Sequence, residues 1–137
     1  MIKPSAIDHI NLSVLDVGRS VDFYGRVFGF EVVEDRADAE TDPWAIVAVP
    51  GAAALALHQS SPAGPAGDGG LSIDHFGLVI EDVEAALAHL ESEGVEVRFQ
   101  ERPGGPVIDW GKSNSIYIAD PDGHVIELTT KFAGGLA

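Results

Sequence analysis

Residues 113–130 read SNSIYIADPDGHVIELTT, two alternating apolar and polar runs around the turn Asp120-Pro121-Asp122-Gly123. Alternation on both sides of a Pro-Asp-Gly turn predicts a β-hairpin. In its second strand Ile126 and Leu128 share one face, and Glu127 lies on the opposite face. A carboxylate between two large aliphatic residues is costly to bury without compensation. The group that Glu127 faces is therefore the first question that this sequence raises.

The composition is that of one soluble, compact domain. The 137 residues are 45% hydrophobic and 22% charged, and no apolar run approaches the ~20 residues that span a bilayer. Lys plus Arg number 8 and Asp plus Glu number 22, for a formal net charge of −14. This charge repels nucleic acid and anionic membranes, so neither is expected as a partner. The absence of cysteine excludes disulfides and thiolate metal ligands, and without an export signal we expect a cytoplasmic location.

The chain carries the same order of elements twice. In the first half, Ile10, Leu12 and Val14 alternate with polar residues, Asp16 is a candidate N-cap, and Gly29 ends the helix that follows. Three more strands are expected at 30–34, 44–49 and 53–58. This half therefore predicts the order β-α-β-β-β.

The second half begins with the same three residues, Ile-Asp-His. Ile73–Ile80 matches Ile7–Val14 in register, and a helix is expected between Asp82 and Gly94. Val95–Phe99 is a predicted strand, residues 100–112 form a predicted loop rich in Gly and Pro, and the hairpin closes the half. The order is again β-α-β-β-β.

We therefore predict a single α+β domain of two βαβββ modules, about residues 6–59 and 72–131, joined by a linker at 60–71. The apolar face of each sheet should pack on its helix. The opposite faces are then free to form a curved mixed sheet with a concave cavity for a metal or ligand.

Polar side chains collect on the strand faces that point away from the helices. By alternation, these faces carry His9, Asn11, Ser13, His58, His75, Gly77, Ser115, Tyr117, Glu127 and Thr129. Two imidazoles and a carboxylate are a common ligand set for Zn²⁺ with an open coordination position, or for Fe²⁺. Taken singly, each histidine could equally bind a backbone carbonyl, and Glu127 could face solvent at a sheet edge. Because His9 and His75 occupy equivalent positions of a repeat, the three residues together favour a metal site.

Four segments of the sequence carry a family resemblance: Asp8–Val14, Arg19–Tyr24 with Phe28–Phe30, Asp74-His75, and Ser115–Tyr117 with Asp120–Leu128. In these segments the chain resembles the vicinal oxygen chelate superfamily, which includes glyoxalase I, fosfomycin-resistance enzymes, bleomycin-resistance proteins, methylmalonyl-CoA epimerase and extradiol dioxygenases. The resemblance implies that His9, His75 and Glu127 bind a divalent metal ion (Zn²⁺, Mn²⁺, Ni²⁺ or Fe²⁺). It also implies a small-molecule substrate and a homodimer in which His9 of one chain joins His75 and Glu127 of the other.

The resemblance also assigns candidate substrate and catalytic residues. In glyoxalase I-like members a fourth ligand comes from the strand that holds His58, and either Ala56 or His58 aligns with it. His58 is therefore either a ligand or a catalytic base beside a metal with three protein ligands. Ser115 and Tyr117 resemble phosphonate-contacting positions of fosfomycin-resistance enzymes, and Asn11 stands where those enzymes carry a threonine. These three are the candidate substrate-binding residues.

The favoured function is a metal-dependent, glyoxalase-like lyase or isomerase that acts on a small oxygen-rich metabolite or drug. The metal would act as a Lewis acid, with His58 as the base. Three alternatives stay open: a bleomycin-resistance-type protein that sequesters its ligand without catalysis, an extradiol-type Fe(II) dioxygenase, and a fosfomycin-resistance-type transferase. The acidic charge suits sequestration of a cationic drug, whereas the metal set of His9, His75 and Glu127 favours an enzyme.

Overall fold

A computed structural model describes residues 7–60 and 75–135 of the chain. The chain divides into two compact units, Met1–Asp68 and Gly69–Ala137. Nearly all of the predicted linker at 60–71 lies outside the described residues, as do Ile73 and Asp74 at the start of the predicted fifth strand.

The first unit is a four-stranded sheet with one helix. Its elements are β1 (Ile10–Val14), α1 (Val17–Phe28), β2 (Glu31–Arg36), β3 (Trp44–Val49) and β4 (Ala53–Gln59). The strand order is β1-β4-β3-β2, in which β1 runs parallel to β4 and the other neighbours are antiparallel. The order βαβββ predicted for this half is confirmed.

The second unit repeats this topology. Its elements are β5 (His75–Val79), α2 (Val83–Ser92), β6 (Ile108–Asp109), β7 (Asn114–Ala119), β8 (Val125–Thr129) and a short 3-10 helix (Phe132–Gly135). The strand order is β5-β8-β7-β6, and β5 runs parallel to β8 as β1 does to β4. The α+β class with two βαβββ modules is therefore confirmed, and each module has a mixed sheet.

The strand predicted at Val95–Phe99 is wrong in its extent. Val97 makes one isolated antiparallel bridge with Ile118, and the same edge of β7 pairs further along with β6, which lies in the segment predicted as loop. Gly94 and Phe99 both have left-handed backbone, with φ of 68° and 62°. Because left-handed residues cannot continue a β-strand, extended pairing is confined to the few residues between them.

Both helices begin after the predicted N-cap, and α1 ends at the predicted Gly29, whereas α2 ends at Ser92 with Glu93 as its C-cap, just before Gly94. Asp16 accepts the N–H of Arg19 at 2.9 Å, and Gly29 ends α1 in the left-handed conformation with φ of 71°. Asp82 accepts two N–H groups in the first turn of α2, at 2.8 and 3.1 Å. These caps satisfy backbone groups that each helix end leaves without an intrahelical partner. Among the described residues, no helix is long and apolar enough to cross a membrane.

Burial of the aliphatic residues follows the predicted alternation, although Ala56, Ser115 and Thr129 on the opposite faces are buried as well. In β1, Leu12 and Val14 are buried while Asn11 is exposed, and in β8, Ile126 and Leu128 are buried on the face opposite Glu127. Burial of these aliphatic faces against the helices is the main favourable contribution to folding of each unit. It also fixes which side chains remain available on the polar faces.

The turn between β7 and β8 is held by a buried carboxylate. Asp120 Oδ1 accepts the N–H groups of Asp122 and His124, both at 2.9 Å, and its backbone N–H donates to the His124 carbonyl at the same distance. Gly123 takes the left-handed conformation (φ 91°) that the turn requires. This turn sets the β7–β8 register, which pairs Tyr117 with Glu127.

Replacing Asp120 with alanine should lower the free energy of unfolding by about 1–3 kcal/mol, because two part-buried N–H groups lose their acceptor. Asp120→Asn keeps a side-chain oxygen at this position and should cost much less. Urea unfolding of the two variants beside the unaltered protein measures the difference. Equal unfolding midpoints for the alanine variant and the unaltered protein would show that the turn does not depend on this side chain.

Candidate functional site

Glu127 is compensated by two groups from neighbouring strands. It lies on β8, between β5 and β7, with Gly77 and Tyr117 as its register partners. The Ser115 hydroxyl donates to Glu127 Oε1 at 2.6 Å, and His75 Nε2 lies 3.2 Å from Glu127 Oε2. The carboxylate side chain retains 19% of its accessible surface. The cost that the sequence predicts for this mid-strand carboxylate is therefore offset by a hydroxyl and an imidazole.

His75 is held against an aromatic wall at one edge of the second sheet. Its ring meets the Tyr117 ring edge-on, with centroids 5.7 Å apart and an interplanar angle of 79°. Phe99 packs on Tyr117 in the same manner at 5.8 Å. These contacts restrict the orientation of the imidazole, which remains 36% exposed and is thus accessible to a bound molecule.

The His75–Glu127 pair fits the ligand chemistry of a divalent metal ion. Imidazole nitrogen and carboxylate oxygen bind such ions at about 2.1 Å, so two neighbouring ligands lie roughly 3.0–3.4 Å apart. The observed separation of 3.2 Å falls in this range. Taken within either unit, the described residues contain no group of three His, Asp or Glu side chains arranged to hold a metal. The second unit thus offers two of the three predicted ligands.

His9, the third predicted ligand, lies in the first unit immediately before β1. Asp8 Oδ2 lies 2.7 Å from His9 Nδ1, and the imidazole is 50% exposed. A carboxylate on Nδ1 favours the tautomer in which Nε2 carries the free lone pair, as is common for metal-binding histidines. The Nε2 atom of His9 is therefore free of that carboxylate.

The registers of the two units show which residue corresponds to Glu127 in the first unit. Asn11 is opposite Ala56 in the parallel pair β1–β4, and Gly77 is opposite Glu127 in the parallel pair β5–β8. Asn11 and Gly77 each stand two residues after the repeated histidine. Ala56 therefore occupies the position in the first unit that Glu127 occupies in the second, and it carries no ligand atom.

His58 lies two residues after Ala56 and stacks on Trp44. The two rings are 6.2 Å apart with an interplanar angle of 16°, and they belong to paired residues of β4 and β3. Ser13 is the register partner of His58 on the other side. The candidate residues Asn11 and His58 therefore lie on β1 and β4 of the first unit, whereas Ser115 and Tyr117 lie with Glu127 in the second.

The second unit has a concavity of about 540 Å³ around Glu127 and Tyr117. Its other lining residues include Val79, Trp110, Lys112, Thr129 and Phe132. Alternation predicts Thr129 on the polar face, whereas the sequence favours a core or interface position for Trp110 and assigns no site role to Lys112 or Phe132. Trp110 and Lys112 stand in the turn between β6 and β7, and Phe132 follows β8. Alternation along a strand does not predict where side chains outside the strands point. The glycine between Trp110 and Lys112 was the feature of the sequence that could have indicated a turn here.

A second concavity of about 610 Å³ lies between α2 and the segment that follows it. Its rim carries Glu84, Glu91 and Glu96, and the described residues that line it include no histidine. Although it is slightly larger, it contains none of the candidate site residues. We therefore assign the candidate site to the concavity beside Glu127.

Comparisons with known proteins agree with this fold. The Virulence protein STM3117 of Salmonella typhimurium (strain LT2) is 28% identical, over 90% of this chain and 82% of that protein. A glyoxylase/bleomycin resistance protein/dioxygenase domain from Frankia sp. EAN1pec has a TM-score of 0.75 at 16% identity, over 95% of this chain and 100% of that one. A mutant of the fosfomycin resistance protein FosX from Listeria monocytogenes, complexed with Mn(II) and 1S,2S-dihydroxypropylphosphonic acid, has a TM-score of 0.74 at 21% identity, over 98% of each chain.

The model of one protein family matches nearly the whole sequence. The match runs over residues 6–128, and thus covers both repeats and all strands of the two sheets except Thr129, the last residue of β8. The chain belongs to the Glyoxalase/Bleomycin resistance protein/Dioxygenase superfamily.

Proposed function

We propose that this protein is a divalent-metal-dependent, glyoxalase-like lyase or isomerase that acts on a small oxygen-rich molecule. The observation that carries the proposal is the 3.2 Å contact between His75 Nε2 and Glu127 Oε2 on the polar face of the second sheet. Both side chains keep exposed surface on that face, 36% for His75 and 19% for Glu127, so both are accessible to a bound ion. Both atoms are ligands for Zn²⁺, Mn²⁺, Ni²⁺ or Fe²⁺.

The surrounding residues suit this role. Ser115 binds the second oxygen of Glu127 and so orients the carboxylate, while Tyr117 holds the ring of His75. Asp8 does the same for His9, which we propose as the third protein ligand. Outer partners of this kind are typical of metal-binding histidines and carboxylates. The related FosX structure was determined with Mn(II), which supports a divalent ion here.

The remaining candidates have roles in binding and proton transfer. A bound metal would polarise substrate oxygens as a Lewis acid. His58 is the proposed proton acceptor, because a neutral imidazole exchanges protons readily near physiological pH. The stacked Trp44 ring limits its rotation. Asn11 and Tyr117 are the proposed substrate contacts. Ala56 stands where a fourth ligand would be, so in the proposed site that coordination position has no protein ligand.

We also propose that the protein is a homodimer that shares its metal sites. His9 belongs to the first unit, and no carboxylate stands at the position equivalent to Glu127 in that unit. In the proposed arrangement, His9 of one copy completes the site of the other. A symmetric dimer then contains two identical sites.

Metal analysis tests the proposed ligands directly. The purified protein should hold about one divalent ion per chain, and Glu127→Ala or His75→Ala should weaken binding by more than about a hundredfold. Ser115→Ala should weaken it by about 10–100-fold, since only the orientation of the carboxylate is lost. Glu101→Ala, at an exposed loop position, is the matched control and should bind as the unaltered protein does. A protein that binds none of the four ions after dialysis against each would instead be a sequestering member of the family.

Mixing two inactive variants tests the shared site. His9→Ala and Glu127→Ala should each lose the metal, but after co-refolding at equal concentration about a quarter of the sites should recover. Half of the dimers are then mixed, and each mixed dimer has one intact site and one that lacks both ligands. Sites built from a single chain would recover no metal in the mixture.

Replacing His58 separates its two possible roles. Once a panel of methylglyoxal with thiols, fosfomycin, catechols and acyl-CoA thioesters has identified a substrate, His58→Gln should lower kcat by about 10²–10⁴-fold. Its metal affinity should be unchanged, because Ala56 occupies the fourth-ligand position. His89→Gln, on the exposed side of α2, is the control. Loss of metal together with activity would make His58 a ligand rather than a base.

A further inference from the structure

We propose that the tip of the β6–β7 hairpin selects the substrate, and that the substrate is a small organic anion with an apolar body. In this assignment Lys112 binds the anionic group, while Trp110 and Phe132 cover the apolar part. The inference deepens the proposed function and rests on it, because the same concavity contains Glu127.

Several exposed hydrophobic residues converge on this concavity. Val79, Trp110 and Phe132 are all more than half exposed, and all three line it. Large apolar side chains scattered singly on a surface need no explanation, but a cluster beside polar groups is typical of a ligand site. The rings of Trp110 and Phe132 offer flat apolar surfaces for a compact apolar group.

The charge of the concavity favours an anion at one point. Among the described residues that line it, Lys112 is the only cation and Glu127 the only carboxylate, so an anion is favoured only beside Lys112. Thr129 also lines the concavity, but its hydroxyl oxygen is buried, with almost no surface exposed to a bound molecule. The ammonium of Lys112 suits a carboxylate or phosphonate group.

The hairpin holds Trp110 and Lys112 in a defined turn. The Trp110 N–H donates to the Ser113 carbonyl at 2.9 Å, and the Gly111 N–H donates to Asp109 Oδ1 at 2.6 Å. Gly111 has a φ of 82°, which allows the chain to reverse between the two side chains. Both residues therefore reach the concavity from one short, hydrogen-bonded turn.

The test uses the metal-free protein, so that it does not depend on the metal site. Trp44→Phe leaves Trp110 as the only tryptophan, whose fluorescence and indole NMR signal report on the concavity. The probes are 3-phenylpropionate, its neutral amide, 3-phenylpropylphosphonate and propionate. Both phenyl anions should bind about tenfold more tightly than the amide, and propionate should bind more weakly than 3-phenylpropionate. The relative affinity of carboxylate and phosphonate identifies the preferred anionic group.

Lys112→Gln should remove the preference for the anions, whereas Lys131→Gln, an exposed lysine outside the concavity, should retain it. Equal affinity for acid and amide in the unaltered protein, or an undiminished preference in Lys112→Gln, would overturn the proposal. The proposal would also be overturned if the fluorescence of Trp110 changed with protein concentration but not with any of the probes. Such a result would mean that a second copy of the chain covers this surface. Binding that fails here while metal binding persists rejects this inference and leaves the proposed function standing.

Discussion

The carboxylate of Glu127 is the constraint on which the second unit depends. It lies in the middle of β8, between two strands, and its oxygens engage Ser115 of β7 and His75 of β5. A shift of β8 by one residue would turn this carboxylate into the apolar core. Because a buried, uncompensated charge costs several kcal/mol, one ionised side chain fixes the register of three strands. The same contacts that compensate the Glu127 carboxylate also bring the candidate ligands His75 and Glu127 together.

Local and long-range signals agree on that register. The Asp120 turn sets the pairing of β7 with β8 from one end, through bonds between residues close in sequence. The Glu127 contacts set it from within the sheet, through residues 12 and 52 positions away. Agreement between local turn chemistry and distant polar pairing is what gives a sequence one preferred structure.

Most of the fold could be predicted because its signals are local and periodic. Alternation gave the strand faces, and Asp16, Gly29 and Asp82 gave the helix ends. The segment after α2 could not be read in the same way. Its apolar and polar residues alternate, but Phe99 takes a left-handed backbone that a bulky residue rarely adopts, and no local pattern predicts this. Alternation likewise predicted that Glu127 and His75 share one face. Trp110 and Lys112 line the concavity from the turn between β6 and β7, and alternation does not predict side-chain positions in a turn.

The two modules share one topology but carry different polar residues at equivalent positions. In the second, the repeated histidine has a carboxylate on the adjacent strand. In the first, Ala56 stands at that position, and His9 is instead bound by the neighbouring Asp8. The His9 imidazole is half exposed and contacts a carboxylate through one nitrogen. His75 and Glu127 form a pair, and the described residues of neither unit contain a group of three His, Asp or Glu side chains arranged to hold a metal. By itself, neither module supplies all three ligands of the proposed metal site. Because the modules differ at the position of Ala56 and Glu127, each half of the chain contributes different ligands to that site.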